Sequence, residues 1–398
     1  VVTGSPEGVR EVFSADPNVF EPLGRVPIEP VTGPRSVLLL SGLTHKRERK
    51  LLMPPFHGER MRAYGTLIRE VAERRVSAIP PGGSFSAQRL AQDITLDIIL
   101  RAVFGITEPE RVREFTEAII AFGESYTPLL MFALPLRRNF GGFGPWARFQ
   151  RNAARFERLI EEQIARQRER GVGQEDILSL LLSARDEDGK PMTDGELKDE
   201  LRTMILAGHE TTAVALTWAM YWLHRLPEVR KRLQEELATL GPTPDPDALA
   251  KLPYLSAVCD EALRLNPVVP LVSRRTLAPF TLRGHTLPVG TGIMVAIGVL
   301  HGDPTLYPEP EQFRPERFLE RKFTPFEYMP FGGGARRCVG AAFALYEMKI
   351  VLGSLLSGHR FSLVDDRPVR PVRRHLTIGP DSGVEMRHHG PAQPGASA

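Results

Sequence analysis

The chain has 398 residues, 42% of them hydrophobic and 25% charged, and a formal net charge of only +3. It is long enough to bury a large core and a cofactor. Its lysines and arginines are scattered, which argues against a nucleic-acid binder, and no segment approaches the roughly 20 apolar residues that cross a bilayer. The longest apolar run, residues 213–223, is closed by Glu210 and by His224-Arg225. Two cysteines, Cys259 and Cys338, cannot make a disulfide framework and suit a reducing compartment. With no secretory signal, a cytoplasmic protein is expected.

The chain opens at Val1, without a methionine, in what reads as the end of a strand. Preceding sequence is therefore expected to be missing, and the lack of an anchor carries little weight. Ser5-Pro6-Glu7 predicts a short helix to about Ala15. Residues 16–43, rich in Pro and Gly, read as an irregular loop. Thr44 starts a strongly basic helix, His45-Lys46-Arg47-Glu48-Arg49-Lys50. Helical periods follow at about 59–79, 86–104, 108–124, 145–171 and 174–184. Between them, 125–144 is an apolar, Gly-rich connection that reads either as a mobile lid or as a packing segment. Thr193 with Glu196 forms a capping box that opens a long helix to about Arg225, where Pro227 ends the pattern. Another helix covers 252–265 and stops before Pro267. Residues 268–300 alternate in strand-and-turn fashion, and 301–337 are dense in Pro, Phe and Gly without period. A final helix fits 339–357, followed by strands and a polar tail. The reading is a mainly α protein with a smaller β portion near the C-terminus, in one large domain spanning 1–398.

The strongest chemical signal is Phe331-Gly332-Gly333-Gly334-Ala335-Arg336-Arg337-Cys338-Val339-Gly340. Consecutive glycines let a backbone approach a flat ligand and take positive φ. Cys338 falls at a predicted helix start, where amides and the macrodipole stabilise a thiolate. A thiolate is a strong axial donor to haem iron. Arg336 is placed to neutralise a porphyrin propionate, and Phe331 to pack on the macrocycle or the cysteine. The alternative is a Gly-rich turn with an inert buried cysteine. A phosphate loop lacks its Gly-Lys-Ser/Thr ending, and zinc lacks a second cysteine or paired histidines.

Phe331, Gly334, Arg336, Cys338 and Gly340 fill all five fixed positions of Phe-x-x-Gly-x-Arg-x-Cys-x-Gly. On them the chain resembles the haem-thiolate monooxygenases, the cytochrome P-450 family. The resemblance implies that family's fold, with haem b held between the long central helix and the cysteine-loop helix. It makes Cys338 the iron ligand and places Phe331, Gly332, Arg336 and Gly340 at the haem. Further motifs follow in the family's order. Glu261-Ala262-Leu263-Arg264 sets a carboxylate and a guanidinium on one helix face. Alone, that spacing reads equally as an exposed ion pair worth little. The later Pro315-Glu316-Arg317-Phe318 resembles the element whose arginine, Arg317, joins Glu261 and Arg264 in a buried triad. Cys259 beside it reads as a buried thiol.

On the long helix, Ala207-Gly208-His209-Glu210-Thr211-Thr212 interrupts an apolar stretch. A bland reading is a helix bend with a chance polar patch. The resemblance is to the family's oxygen-activation groove. There Ala207 and Gly208 lie against the haem, Gly208 makes room for dioxygen, Thr211 hydrogen-bonds it, and Glu210 relays protons through water. His45 and Arg49, four apart on the basic helix, match a His-x-x-x-Arg pattern that binds a propionate; the alternative is a solvated cationic face. Arg275 matches another propionate-binding arginine, with Arg274 beside it leaving the register open by one. The chain departs from the family in Pro279-Phe280, where acids are commoner, and in lacking an opening helix and first strand. Residues 51–61 look most like bacterial members carrying eukaryote-like motifs.

The implied activity is insertion of one oxygen atom from dioxygen into an organic substrate, by hydroxylation or epoxidation. No flavin or nicotinamide fingerprint and no iron–sulfur cysteines are present. Electrons are therefore expected from a separate ferredoxin or flavodoxin with its reductase, docked on a basic patch of Lys46, Arg47, Lys50 and Arg337. The expected pocket segments, 16–43, 125–144, the helix near Ala207 and 268–272, are mostly apolar and imply a lipophilic small molecule. A monomer is expected. Rival readings are a peroxide-driven peroxygenase and a non-catalytic haem sensor; neither needs the Glu210–Thr211 pair.

Overall fold

The structure, a computed structural model, describes every residue except 57, 59, 140, 172–175, 375, 376 and 393–398. Two expected helix starts, 59 and 174, and His57 and Glu59 of the bacterial-type segment lie outside the described residues.

In chain order, β1 (Val2–Thr3) precedes α1 (Pro6–Ser14), whose cap Ser5 accepts the Gly8 N–H at 3.2 Å. After β2 (Phe20–Pro22), the stretch read as irregular holds a helix, α2 (Arg25–Thr32). Gly24 and Gly33, both at positive φ, bound it, and Pro27 sits in the first turn, where an N–H has no helical partner. Arg202 supplies what the sequence pattern could not show: its guanidinium donates to the Pro30 and Val31 carbonyls at 2.6 and 2.9 Å. The basic helix is α3 (Gly42–Leu52). Then come α4 (Arg60–Ser77), β3 (Ser84–Ser86), α5 (Ala87–Ala102) and α6 (Pro109–Ser125), close to expectation. The apolar connection contains α7 (Pro128–Phe132), and α8 (Pro145–Arg170) and α9 (Ile177–Ser183) follow.

The long helix α10 (Asp194–Arg225) is unbroken and opens on the capping box. Thr193 Oγ1 accepts the Glu196 N–H at 3.3 Å, and Glu196 Oε2 accepts the Thr193 N–H at 2.7 Å. Pro227 does not simply end a helix; it begins the next one. Prolines open α11 (Pro227–Ala238), α12 (Pro246–Lys251) and α13 (Pro253–Leu265), because a fixed φ and a missing N–H suit the first helical position. The β-rich part comprises β4 (Leu271–Thr276), β5 (Phe280–Leu282), β6 (His285–Leu287) and β7 (Gly292–Ala296). After α14 (Ile297–His301) and α15 (Arg317–Glu320), α16 (Ala341–Gly358) leads into β8 (His359–Leu363), β9 (Pro371–Arg374), β10 (Thr377–Pro380) and β11 (Glu385–Pro391). The mainly α class with a smaller β portion is what the sequence implied.

Backbone contacts sort the chain into two compact units. The first comprises Val1–Phe20, Phe56–Thr95 and Glu210–Ala398; the second comprises Glu21–Pro55 and Leu96–His209. In the first unit β1 runs parallel to β7, pairing Thr3 with Val295, and β4 runs antiparallel to β7, pairing Arg274 with Ile293. Beneath this sheet Val9, Val12, Ile293, Val295, Leu300 and Met329 form a buried cluster. The central helix α16 packs against α4, α11, α12 and α13. By composition it is apolar enough to span a membrane, but most of it is buried inside this unit, as expected of a core helix apolar all round. In the second unit α6 packs on α8, with the Phe122 ring 5.5 Å from Phe149 and 5.3 Å from Phe156.

Candidate functional site

Cys338 is in no disulfide and has an exposed side chain, three residues before the first residue of α16 rather than at its start. The loop that carries it is fixed at both ends. The Cys338 N–H donates to the Phe331 carbonyl at 3.0 Å, and the Gly332 N–H to the Met329 carbonyl at 2.9 Å. Gly332 and Gly334 take φ of +66° and +61°, where a side chain would be strained. Gly334 is also held by space: an added Cβ would sit 2.8 Å from the Phe13 carbonyl oxygen. Two of the three glycines, Gly333 and Gly334, thus face Phe13 of α1 rather than a ligand, whereas Gly332 and Gly340 have open space where a Cβ would point.

Phe13 also distinguishes the two arginines of β4. Side chains alternate along a strand. Arg274 turns inward, its guanidinium 5.7 Å from the Phe13 ring centroid, while Arg275 is exposed. Burial, and then the neighbouring positive charge of Arg336, pull the Arg274 guanidinium down to about 10. No carboxylate among the described residues pairs with Arg274. Of the two, Arg274 is the one whose guanidinium feels the charge of Arg336.

Below the loop, the three residues Glu261, Arg264 and Arg317 come together, 0%, 1% and 4% exposed. Arg264 Nε and Nη2 donate to Glu261 Oε2 and Oε1 at 2.6 and 2.8 Å, and Arg317 Nε donates to Oε1 at 3.0 Å. The remaining guanidinium donors go to the backbone carbonyls of His301, Pro308, Glu309 and Gln312. This is how a Pro-rich segment without regular structure is held: charged side chains satisfy its carbonyls. Cys259 is buried, and burial pushes its thiol up to about 12, so it stays a neutral thiol.

On α10, Glu210 and Thr211 are half-buried. Glu210 Oε2 accepts the side-chain amide of Gln92 on α5 at 3.1 Å, a partner that no spacing in the sequence marks. In the second unit, Ala207 is exposed and Gly208 half-buried; a Cβ on Gly208 would come within 2.9 Å of Ile99 Cδ1, the end of a side chain that can shift. His45 is buried and Arg49 half-buried on α3. On the same helix, two residues of the expected basic patch are ion-paired. Arg47 pairs with Asp186 at 2.6 Å, with Glu196 at 3.2 Å and with Glu48, and Lys50 pairs with Glu187 at 2.7 Å. Both cations thus have carboxylate partners within their own unit, Arg47 in a half-buried group and Lys50 in an exposed pair.

Among the described residues, no group of three or more His, Cys, Asp or Glu could hold a metal ion. A single exposed thiol suits a metal that arrives with its other ligands. Two arginines that repel each other suit a ring with anionic edge groups. The residues around Cys338 therefore fit haem.

The cytochrome P-450 family model matches residues 1–383. Over 396 residues the chain is 34% identical to the putative cytochrome P-450 135A1 of Mycobacterium tuberculosis, covering 97% of this chain and 84% of that protein. It is 34% identical over 386 residues to the putative cytochrome P-450 137 of the same organism, covering 95% and 78%. Among solved structures, a retinoic acid-bound cyanobacterial CYP120A1 is similar with a TM-score of 0.86 at 26% identity, covering 98% of this chain and 88% of that one. The cytochrome P-450DA haem domain gives 0.87 at 25% identity, covering 99% and 88%.

Proposed function

The chain belongs to the cytochrome P-450 family and is a haem-dependent monooxygenase, and from that premise we propose that Cys338 supplies the thiolate ligand to haem b and that the substrate is a lipophilic small molecule. The observation that carries the reading is the exposed Cys338 thiol on a loop fixed at both ends, beside two mutually repelling guanidiniums. Bound there, haem would supply the dioxygen chemistry that no side chain can.

The chain's own residues do the rest. As a thiolate, Cys338 would hold the iron and donate electron density to it. Arg274 and Arg336 would hold the propionates, whose charge would relieve their repulsion. Gln92 orients the Glu210 carboxylate, and Glu210 moves protons inward through water while Thr211 donates a hydrogen bond at the reacting centre. For Ala207, Gly208, His45 and Arg49 the haem-contact assignment rests on the family pattern. Electrons come from a separate ferredoxin or flavodoxin type donor, as the absence of a flavin or nicotinamide fingerprint in the sequence suggests. Support for a lipophilic substrate is the apolar pair Val269 and Leu271, 39% and 50% exposed at the start of the strand that carries Arg274. The related CYP120A1 is described with retinoic acid bound, a lipophilic molecule.

The test is Cys338→Ser in haem-loaded protein. The reduced carbon-monoxide adduct of the wild type should show the thiolate-type Soret shift, and the serine variant should lose both the shift and product formation. A fully haem-loaded, folded wild type without that shift would sink the reading.

A further inference from the structure

His301 lies at the end of α14, 1% exposed, and no motif marks it. Its two ring nitrogens are both engaged. The Met329 backbone N–H donates to Nε2 at 3.1 Å, and Nδ1 lies 3.2 Å from the Arg264 carbonyl oxygen. An amide N–H can only donate, so Nε2 is the acceptor. Nδ1 then carries the proton and donates to Arg264. The contact is reciprocal, because Arg264 Nη1 donates to the His301 carbonyl at 2.9 Å. The ring is fixed from its faces as well: it stacks on Tyr328 at 5.5 Å and meets the edge of Tyr307 at 6.0 Å. Burial, with the charge of Arg264 adding to it, lowers the imidazole to about 3, which agrees with a single neutral tautomer.

We propose that His301 is a positioning residue for Cys338, tying the Arg264 end of the ion triad to the residue from which the cysteine loop departs. The path is short. Arg264 fixes His301, His301 fixes the Met329 N–H, the Met329 carbonyl accepts from Gly332, and the Phe331 carbonyl accepts from Cys338. Met329 is itself a member of the buried cluster beneath the sheet, so its amide has no access to water. Without His301 that amide is an orphaned buried donor, and the loop loses its anchor to the triad.

The inference rests on Cys338 being the haem ligand, and the experiment separates the two. Haem-loaded full-length protein is compared as wild type, His301→Phe, His301→Gln and Tyr328→Phe. Phenylalanine keeps the ring and loses both bonds; glutamine keeps one donor and one acceptor. Tyr328→Phe removes a bond to Asp260 in the same layer but none on the path. Expected in His301→Phe is amide exchange about tenfold faster across residues 329–338, with part of the thiolate-type Soret band replaced by the thiol form. His301→Gln should restore most of both, and Tyr328→Phe should lower the thermal midpoint with the band unchanged. If His301→Phe does not accumulate, His301→Asn carries the comparison, since its shorter amide keeps Arg264 but does not span to Met329. A lowered midpoint with wild-type exchange and band in His301→Phe, or in His301→Asn, overturns the proposal. A wild type without the band overturns the ligand assignment instead.

Discussion

Two buried charge clusters, one in each unit, solve the same problem in opposite ways. Around Glu261 one carboxylate meets two guanidiniums, and a backbone N–H from Arg314 adds a further donor to Oε1 at 2.8 Å. Around Glu48 and Glu200 the acids outnumber the bases. Arg47 is shared among Glu48, Glu196 and Asp186. Glu200 Oε1 accepts the Val37 N–H at 2.6 Å, but Glu48 Oε2 and Glu200 Oε2 are buried without a hydrogen-bond partner. Burial, and then the charge of Glu196, push the Glu48 carboxyl up to about 7; burial pushes Glu200 well above its usual range. The difference teaches that stoichiometry decides what a buried acid does. Matched by cations it is a structural tie; in surplus it becomes a proton store.

The largest expected effect comes from breaking the matched cluster. Glu261→Gln leaves Arg264 and Arg317 buried against a neutral amide and should cost about 3–5 kcal/mol, read by urea denaturation of the haem-loaded protein. A loss under about 1 kcal/mol would mean that the backbone carbonyls alone satisfy both guanidiniums. The surplus cluster should show itself through pH instead. The Glu48 carboxyl stands at about 7 in the folded chain against 4.5 unfolded, so between those values the folded state holds more protons. Its contribution is therefore neutral below about 4.5 and becomes a penalty that grows up to about 7 and stays constant beyond. Glu196, lowered from 4.5, acts in the opposite sense but in a more acid window. Glu48→Gln should remove about 1–3 kcal/mol of stability loss over the Glu48 window. A variant with the wild-type slope would show that this surplus carries no proton.

How much of this could be read in advance depended on sequence separation. The Glu261–Arg264 spacing and the Thr193–Glu196 capping box are local patterns, and each lies where its spacing placed it, whereas the cysteine loop ends three residues short of the helix it was expected to open. Arg317 was within reach only because its own short element marked it. The partners that come from far along the chain were not legible. Arg47 meets Asp186 across 139 positions, so the basic helix read as a free patch. Gln92 reaches Glu210 across 118 positions, and His301 sits between two distant carbonyl and amide groups. The choice between Arg274 and Arg275 stayed open for a different reason: one residue of register flips a strand side chain to the other face. The helices α2 and α11 were lost because proline was taken as a breaker, when Pro227 opens α11 and α2 holds Pro27 in its first turn and Pro30 inside.

That last group supplies the smallest and sharpest test, because α2 carries an ion pair with neither burial nor surplus. Arg25 Nε lies 2.6 Å from Glu29 Oε2, with side chains 54% and 40% exposed. Both partners can be hydrated when apart, and holding two long side chains together costs rotamer freedom. The order is also the weaker one, with the cation N-terminal to the anion and near the positive end of the helix dipole. A double-mutant cycle with Arg25→Ala and Glu29→Ala should therefore give a coupling of about 0.3 kcal/mol, vanishing at high salt. What holds α2 lies elsewhere: Arg202 on its last carbonyls, and Arg137 and Tyr126, which donate to the Val26 and Pro27 carbonyls at 2.9 and 2.7 Å. A coupling above about 1 kcal/mol would mean that an exposed pair can do the work assigned here to buried donors, and the contrast between the two clusters would lose its basis.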